Sequence, residues 1–231
     1  MKRIFAFCLL LAAAAVLFCA ALFLNGQRYY LLACLILLLA FAALLGRLER
    51  RRLRAREMVL LAVMTSLAVM GRAVFFLLPQ FKPAAPLVLL AGALLGAESG
   101  FLVGAMTGFV SNFFFGQVPW TPFQMFGFGL IGFFAGLVFT KLPKIRSCYM
   151  AYGALSVFLI YGLCANAGTL FTTAPAGEAT LPAFAAVLAS AVWFDLVHAA
   201  STAVFLFFLA KPFTAKLSRI RKKYGVFERA G

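Results

Sequence analysis

The sequence has few charged residues, and acidic residues are the scarcest of them. Only 12% of its 231 residues are charged, whereas 65% are hydrophobic, and the mean hydropathy is +1.03. A soluble domain carries about 25% charged residues. The composition therefore excludes a soluble enzyme, a secreted disulfide scaffold and a disordered tail, and it predicts an integral membrane protein.

Groups that bind metals or perform catalysis are also scarce. The five cysteines form no CxxC pair, and the chain has a single histidine, His198. Most of the cysteines lie in apolar segments, where cysteine acts as a small packing residue. The sequence contains no GxSxG, HExxH or P-loop motif. We therefore expect no disulfide framework, no metal site, no cofactor and no catalytic residue.

Eight apolar segments are candidates for membrane helices, which need about 20 residues to cross a bilayer. The first also has the basic start of a signal peptide, but it is longer than the usual signal core of about 7–15 residues, so we interpret it as a retained helix. The fold class predicted is an all-α integral membrane protein of about eight transmembrane helices. These are residues 4–24, 29–45, 58–78, 83–97, 100–115, 123–139, 149–164 and 183–209.

The basic residues lie on one predicted side of the membrane. All of the 21 lysines and arginines except Arg28, Arg72 and Lys82 fall at the N-terminus, in residues 47–56, in residues 141–146 or after residue 210. Positively charged segments stay in the cytoplasm, so both termini are predicted to be cytoplasmic. This pattern accounts for most of the net charge of +15 without a nucleic-acid partner.

The basic segment in the first quarter of the chain divides it into parts. Two plain apolar helices precede this segment, and nearly all polar residues of interest follow it. The predicted organisation is an accessory N-terminal transmembrane hairpin (1–46), a basic cytoplasmic linker (47–56), a six-helix core (57–210) and a basic cytoplasmic tail (211–231).

Glycines recur at helical spacing in two neighbouring predicted helices. Gly100, Gly104 and Gly108 are four residues apart, and Gly132 and Gly136 repeat the spacing. Small residues at this spacing let helix backbones approach closely in a membrane. The pattern predicts a tightly packed bundle and names no ligand.

A stretch of aromatic and amide residues, 112–124, follows the first glycine series at the predicted outer face. Aromatic rings stack on flat ligands and amides fix their orientation, as in many ligand pockets. An interfacial tryptophan with a proline turn is the alternative interpretation. The candidate ligand contacts in this stretch are Asn112, Gln117, Trp120, Thr121 and Gln124.

Three further polar positions lie in or near the core helices. Arg72 is either a functional cation inside the membrane or a side chain that extends to the outer interface. The loop 79–83, which contains Gln80, is a candidate lid stiffened by two prolines. Asp195 and His198 share one helix face and can meet, either as a structural pair or as a ligand contact.

The order of several motifs resembles one transporter family. The segment Glu57–Arg72 is similar to the first core helix of the substrate-binding S components of energy-coupling factor (ECF) transporters. The segments Pro79–Pro83, Ser111–Gln117 and Pro119–Gln124 follow in the family's order. The similarity covers residues 57–210.

The resemblance implies a six-helix bundle that is not an enzyme. It would bind a vitamin or related micronutrient outside a prokaryotic cell and release it inside. The implied location is the plasma membrane, and the implied partners are a transmembrane coupling protein and two ATPase subunits, besides the vitamin and the lipid bilayer. The family packs its first core helix on the coupling protein through an Ala-xxx-Ala pattern, which Ala62 and Ser66 match here with serine in the second place.

The ligand implied by the resemblance is less specific. The Gly-x-x-x-Trp-Thr-Pro pattern at residues 116–122 is similar to S components associated with cobalamin, which is the first expectation. Riboflavin, queuosine precursors and other vitamins are alternatives, and a membrane enzyme that uses Asp195 and His198 is a further one. The expected substrate contacts are Arg72, Gln80, Asn112, Gln117, Trp120, Thr121, Gln124 and Asp195.

Overall fold

The computed structural model describes residues 53–118, 120–175 and 178–227, and within these ranges the chain is helical with no strand. The predicted N-terminal hairpin and linker residues 47–52 lie outside the described residues. The helices are α1 (Ala55–Val74), α2 (Ala84–Leu95), α3 (Ala97–Phe115), α4 (Thr121–Val138), α5 (Arg146–Thr173) and α6 (Leu181–Tyr224). The all-α prediction is confirmed.

The length and composition of four described helices suit a membrane crossing. These are α1, α4, α5 and α6, while α2 is apolar but shorter. Every residue of α2 is buried, because α1, α3, α4 and α6 all pack around it. This explains its continuous apolar sequence, which has no polar face to present to water.

Helices α2, α3 and α4 approach one another through glycines. A Cβ added to Gly132 of α4 would collide with the backbone of Gly100 in α3, and one added to Gly92 of α2 would collide with Gly132. The predicted close packing is confirmed at these positions. Gly116 differs, because nothing lies near its Cβ position and its φ of 95° turns the chain after α3, a conformation that favours glycine.

Helix α6 extends beyond the predicted end of the last membrane segment. It has 44 residues, or about 66 Å at a rise of about 1.5 Å per residue, whereas a bilayer core is about 30 Å thick. Pro212 lies inside the helix, and Gly225 caps it with a left-handed φ of 57°. The basic residues from 211 to 223 therefore continue the helix.

The described basic segments meet at one end of the bundle. The Arg221 guanidinium donates to the backbone oxygen of Leu94 at the end of α2, at 2.7 Å. Glu57 in the first turn of α1 accepts from the N–H of Phe227 at 2.6 Å. Burial and the nearby Arg221 cation lower the pKa of Lys144. This gathering of positive charge agrees with a single cytoplasmic end.

Candidate ligand-binding site

Arg72, in the last turn of α1, turns its side chain toward the protein interior. Its Nη1 donates to the Ser111 hydroxyl and to Asn112 Oδ1, the latter at 3.3 Å. The guanidinium carbon also lies 5.2 Å from the ring centroid of Phe115 and 5.9 Å from that of Phe128. These contacts place the side chain against α3 and α4 rather than extended to the interface.

Asn112 joins the end of α3 to the start of α4. Its side chain is buried, with 3% of its surface exposed. The amide nitrogen donates to Thr121 Oγ1 at 2.9 Å and to Gln124 Oε1 at 3.0 Å. Thr121 Oγ1 also accepts from the N–H of Val118 at 3.1 Å, which fixes the turn before α4. An amide facing lipid would lose these partners, so its inward position follows from its chemistry.

The hydrogen-bond network continues from Gln124 to the far side of the bundle. Gln124 Nε2 donates to the Tyr161 hydroxyl at 3.1 Å. The Tyr161 ring lies 4.6 Å from Phe128 and makes an edge contact with His198 at 4.9 Å. Tyr161 ends a π-helical turn, Val157–Tyr161, within α5, and such turns frequently mark functional sites.

Helices α1, α3, α4, α5 and α6 therefore all contribute to one polar cluster. We call it the amide cluster, and its members are Arg72, Ser111, Asn112, Thr121, Gln124, Tyr161 and His198. Sequence reasoning missed Tyr161 and Ser111 as site residues. A hydroxyl-bearing aromatic residue inside an apolar span was the signal for Tyr161, but the π-helical turn that orients it leaves no clear mark in the sequence.

The loop between α1 and α2 is fixed to α6. The backbone N–H of Lys82 donates to Ser201 Oγ at 3.1 Å, and the Phe81 ring lies 5.1 Å from that of Phe205. Gln80 has a φ of 55° and is partly buried. The loop thus covers the same end of the bundle as the amide cluster, because His198 lies one turn before Ser201.

Asp195 and His198 have separate partners. Asp195 Oδ2 accepts from Asn166 Nδ2 at 2.7 Å, whereas buried His198 contacts Tyr161. No hydrogen bond joins Asp195 to His198 in the part of the chain that the structure describes. Asp195 and His198 therefore do not form the hydrogen-bonded pair that their spacing would permit. This arrangement gives no geometric support to the alternative of a membrane enzyme that uses both residues.

Gln117 and Trp120 lie at the surface beside the amide cluster. Gln117 Nε2 donates to the backbone oxygen of Phe109 at 3.1 Å. Trp120 directly precedes α4, and 42% of its surface is exposed. An accessible indole next to buried amides offers a stacking face for a flat ligand.

The chemistry of the cluster suits recognition of a polar, ring-containing molecule. Amides, hydroxyls and a guanidinium provide donors and acceptors, and aromatic rings surround them. Within residues 53–118, 120–175 and 178–227, no group of three or more His, Cys, Asp or Glu residues is placed to hold a metal ion.

The predicted docking positions lie on the side of α1 that faces away from the other described helices. Ala62 and Ser66 are exposed, whereas Met64 and Ala68 on the opposite face are buried. Larger apolar side chains flank the two small residues, including Val63. Among the residues that the structure describes (53–118, 120–175 and 178–227), no other helix covers this face of α1 at Ala62 and Ser66.

One comparison with known proteins identifies a family. The model for "ECF-type riboflavin transporter, S component" matches residues 52–218. Comparisons with curated proteins and with solved structures gave no significant match. The matched range contains the whole amide cluster, and it supports the expected S component but not the expected cobalamin subgroup. The chain belongs to the family of ECF-type riboflavin transporter S components.

Proposed function

We propose that the chain is the substrate-specific subunit of an ECF-type importer and that its ligand is a flavin of the riboflavin type. The observation that carries this proposal is the family match over residues 52–218. Riboflavin was one of the alternatives among the expected vitamins, and it replaces cobalamin as the ligand of choice. The protein binds the ligand on one side of the membrane and releases it on the other, and the ligand undergoes no chemical change.

The amide cluster supports binding of a flavin at the outer end of the bundle. The isoalloxazine ring system has an apolar edge and an edge with alternating hydrogen-bond donors and acceptors. The exposed ring of Trp120 is available to stack on it, and the amides of Asn112 and Gln124 are available to exchange their mutual bond for bonds to the polar edge. The proposed contacts are Arg72, Gln80, Asn112, Gln117, Trp120, Thr121, Gln124 and Asp195.

The exposed side of α1, which faces away from the other described helices, is the proposed docking surface for the coupling protein. Ala62 and Ser66 form a shallow strip of small side chains along the exposed face, where a partner helix can approach closely. ATP hydrolysis by two ATPase subunits bound to the coupling protein would supply the energy. This role places the chain in a prokaryotic plasma membrane.

The domain organisation follows from the same proposal. In this proposal residues 57–210 form the substrate-binding core, and the matched range of 52–218 covers all of them. The N-terminal hairpin, residues 1–46, is accessory to that core. The basic segments 47–56 and 211–231 face the cytoplasm and its anionic lipids.

A ligand titration tests the proposal. Purified full-length protein in detergent is titrated with riboflavin, cobalamin and thiamine, with flavin fluorescence and protein melting temperature as readouts. We expect riboflavin to be quenched to saturation and to raise the melting temperature, because a ligand that binds only the folded state stabilises it. Saturable binding of cobalamin or thiamine without riboflavin binding would contradict the flavin assignment.

A further inference from the structure

One arginine and one lysine of the described residues are exceptions to the cytoplasmic gathering of positive charge, and both lie at the end of the bundle that holds the candidate site. Of the 21 basic residues, only Arg28, Arg72 and Lys82 lie away from the basic segments. Arg28 is outside the described residues. Arg72 ends α1 and Lys82 lies in the loop that follows it. A basic residue away from the cytoplasmic end opposes the topology signal, so this placement needs a local reason.

The partners of Arg72 leave its charge uncompensated. The guanidinium donates to a hydroxyl, that of Ser111, and to the amide oxygen of Asn112, and it lies over the rings of Phe115 and Phe128. None of these four groups carries a negative charge. Arg72 is partly buried, and a partly desolvated cation among neutral groups is stabilised when an anion joins it.

Lys82 adds a second positive charge at the same end of the bundle. Its backbone N–H donates to Ser201 Oγ of α6 at 3.1 Å, and Ser201 lies one turn after His198 of the amide cluster. Burial and the charge of Arg72 both lower the pKa of Lys82.

The acidic residues that the structure describes lie at the opposite end of the bundle, face solvent in the outer loop or bind another partner. Glu57 and Glu98 lie at the opposite end of the bundle, in the first turns of α1 and α3. Glu178 is exposed in the loop before α6. Asp195 is bonded to Asn166 at 2.7 Å, and among the described residues it forms no ion pair with either cation.

We propose that the ligand itself supplies the missing anion, as a phosphate ester that Arg72 and Lys82 hold at the outer end of the amide cluster. The proposal rests on the proposed function and makes it more specific: the preferred flavin is riboflavin 5′-phosphate rather than neutral riboflavin. A guanidinium and an ammonium group form short, charge-assisted bonds to phosphate oxygens. The ring system binds the amides and aromatic residues in either case.

Competing titrations of the full-length protein test this inference. Riboflavin, riboflavin 5′-phosphate and inorganic phosphate are the probes, and dissociation constants come from flavin fluorescence at low and high salt. We expect the phosphate ester to bind at least about tenfold more tightly than riboflavin. Added salt weakens binding of the ester more than that of riboflavin, since it screens charge.

Charge-removing and charge-keeping variants make the test specific. Lys82→Gln lies in a loop and removes one cation, so the ratio of the two dissociation constants falls by about tenfold, whereas Lys82→Arg keeps the preference. Lys141→Gln removes an exposed cation at the other end of the bundle and leaves the ratio unchanged. Arg72→Gln and Arg72→Lys form a second pair with the same expectation.

Each contrary outcome has a distinct meaning. Equal binding of riboflavin and its phosphate ester, or a ratio unchanged in Lys82→Gln, overturns the phosphate subsite and leaves the proposed function intact. Inorganic phosphate that strengthens riboflavin binding, with the ester no tighter, assigns the cations to a separate anion and also overturns the subsite. Binding of neither flavin to folded protein overturns the subsite and the proposed function together.

Discussion

Replacing Asn112 by leucine is expected to loosen the outer half of the bundle. The buried amide donates to Thr121 and Gln124 and accepts from Arg72, at 2.9, 3.0 and 3.3 Å. Asn112→Leu keeps a side chain of similar size but removes all three bonds. Thr121, Gln124 and Arg72 then each lose the hydrogen bond that they share with Asn112.

The size of the effect follows from these bonds. A side-chain hydrogen bond inside a membrane protein contributes about 0.6 kcal/mol on average, and a buried polar partner left unsatisfied costs about 1–3 kcal/mol. Part of the loss is offset because the leucine buries apolar surface. We expect the free energy of unfolding to fall by about 2–4 kcal/mol, which lowers the melting temperature by about 5–10 °C.

A thermal-unfolding series with a matched control tests this magnitude. Gln117→Leu makes the same exchange of amide for leucine at an exposed position with a single backbone contact, so its melting temperature is expected to change by less than about 2 °C. Both variants are measured in the same detergent, without ligand. If Asn112→Leu melts within error of Gln117→Leu, the amide cluster does not hold the helices together and the reasoning is refuted.

Further changes test the packing, the ligand contact and the docking surface. Gly132→Ala places a methyl group against the backbone of α3 and is expected to lower the melting temperature by about 5 °C or more; an unchanged value would contradict the close approach. Trp120→Ala is expected to weaken riboflavin binding by roughly 1–3 kcal/mol, whereas Trp193→Ala on the exposed face of α6 leaves the dissociation constant unchanged, and equal constants in both variants would remove Trp120 from the site. Ala62→Leu and Ser66→Leu should reduce co-purification of the coupling protein while ligand binding persists, and normal co-purification with both would refute the docking proposal.

The helical class and much of the packing could be predicted from the sequence because they depend on local patterns. Long apolar segments specify membrane helices, and the spacing of Gly100, Gly104 and Gly132 specifies where backbones meet. Asn112 was expected to face the interior because polar groups avoid lipid, whereas for Arg72 the sequence left an inward position and extension to the outer interface both open. Their direct bond joins two helices that are distant in sequence, and no local pattern encodes it.

The partners within the cluster could not be predicted for a physical reason. In a membrane, the lipid and the protein interior are both apolar, so hydrophobic periodicity does not tell which face of a helix packs inward. Asp195 therefore gave no sign that it bonds to Asn166 rather than to His198. Tyr161 depends on a π-helical turn, which arises from packing between helices.

The ligand and the end of α6 were beyond the reach of short patterns. The residues 116–122 favoured cobalamin, but a pattern with three fixed side chains constrains a turn before α4 more than it constrains a ligand. The last apolar segment was predicted to end at residue 209 and the basic residues after it to form a cytoplasmic tail, yet α6 continues to Tyr224. Pro212 lies inside this helix, and proline is tolerated in helices where neighbouring groups satisfy the freed backbone.

Native mass spectrometry of the gently purified full-length chain tests the central claim most directly. The protein is extracted from its own host cells with whatever small molecule and subunits accompany it. Binding of a flavin by the chain, in a complex with a coupling protein and two ATPase subunits, is the result that the account predicts. A chain that carries cobalamin or another non-flavin vitamin, or one that stays bare and without partners even after growth with added flavin, would contradict it.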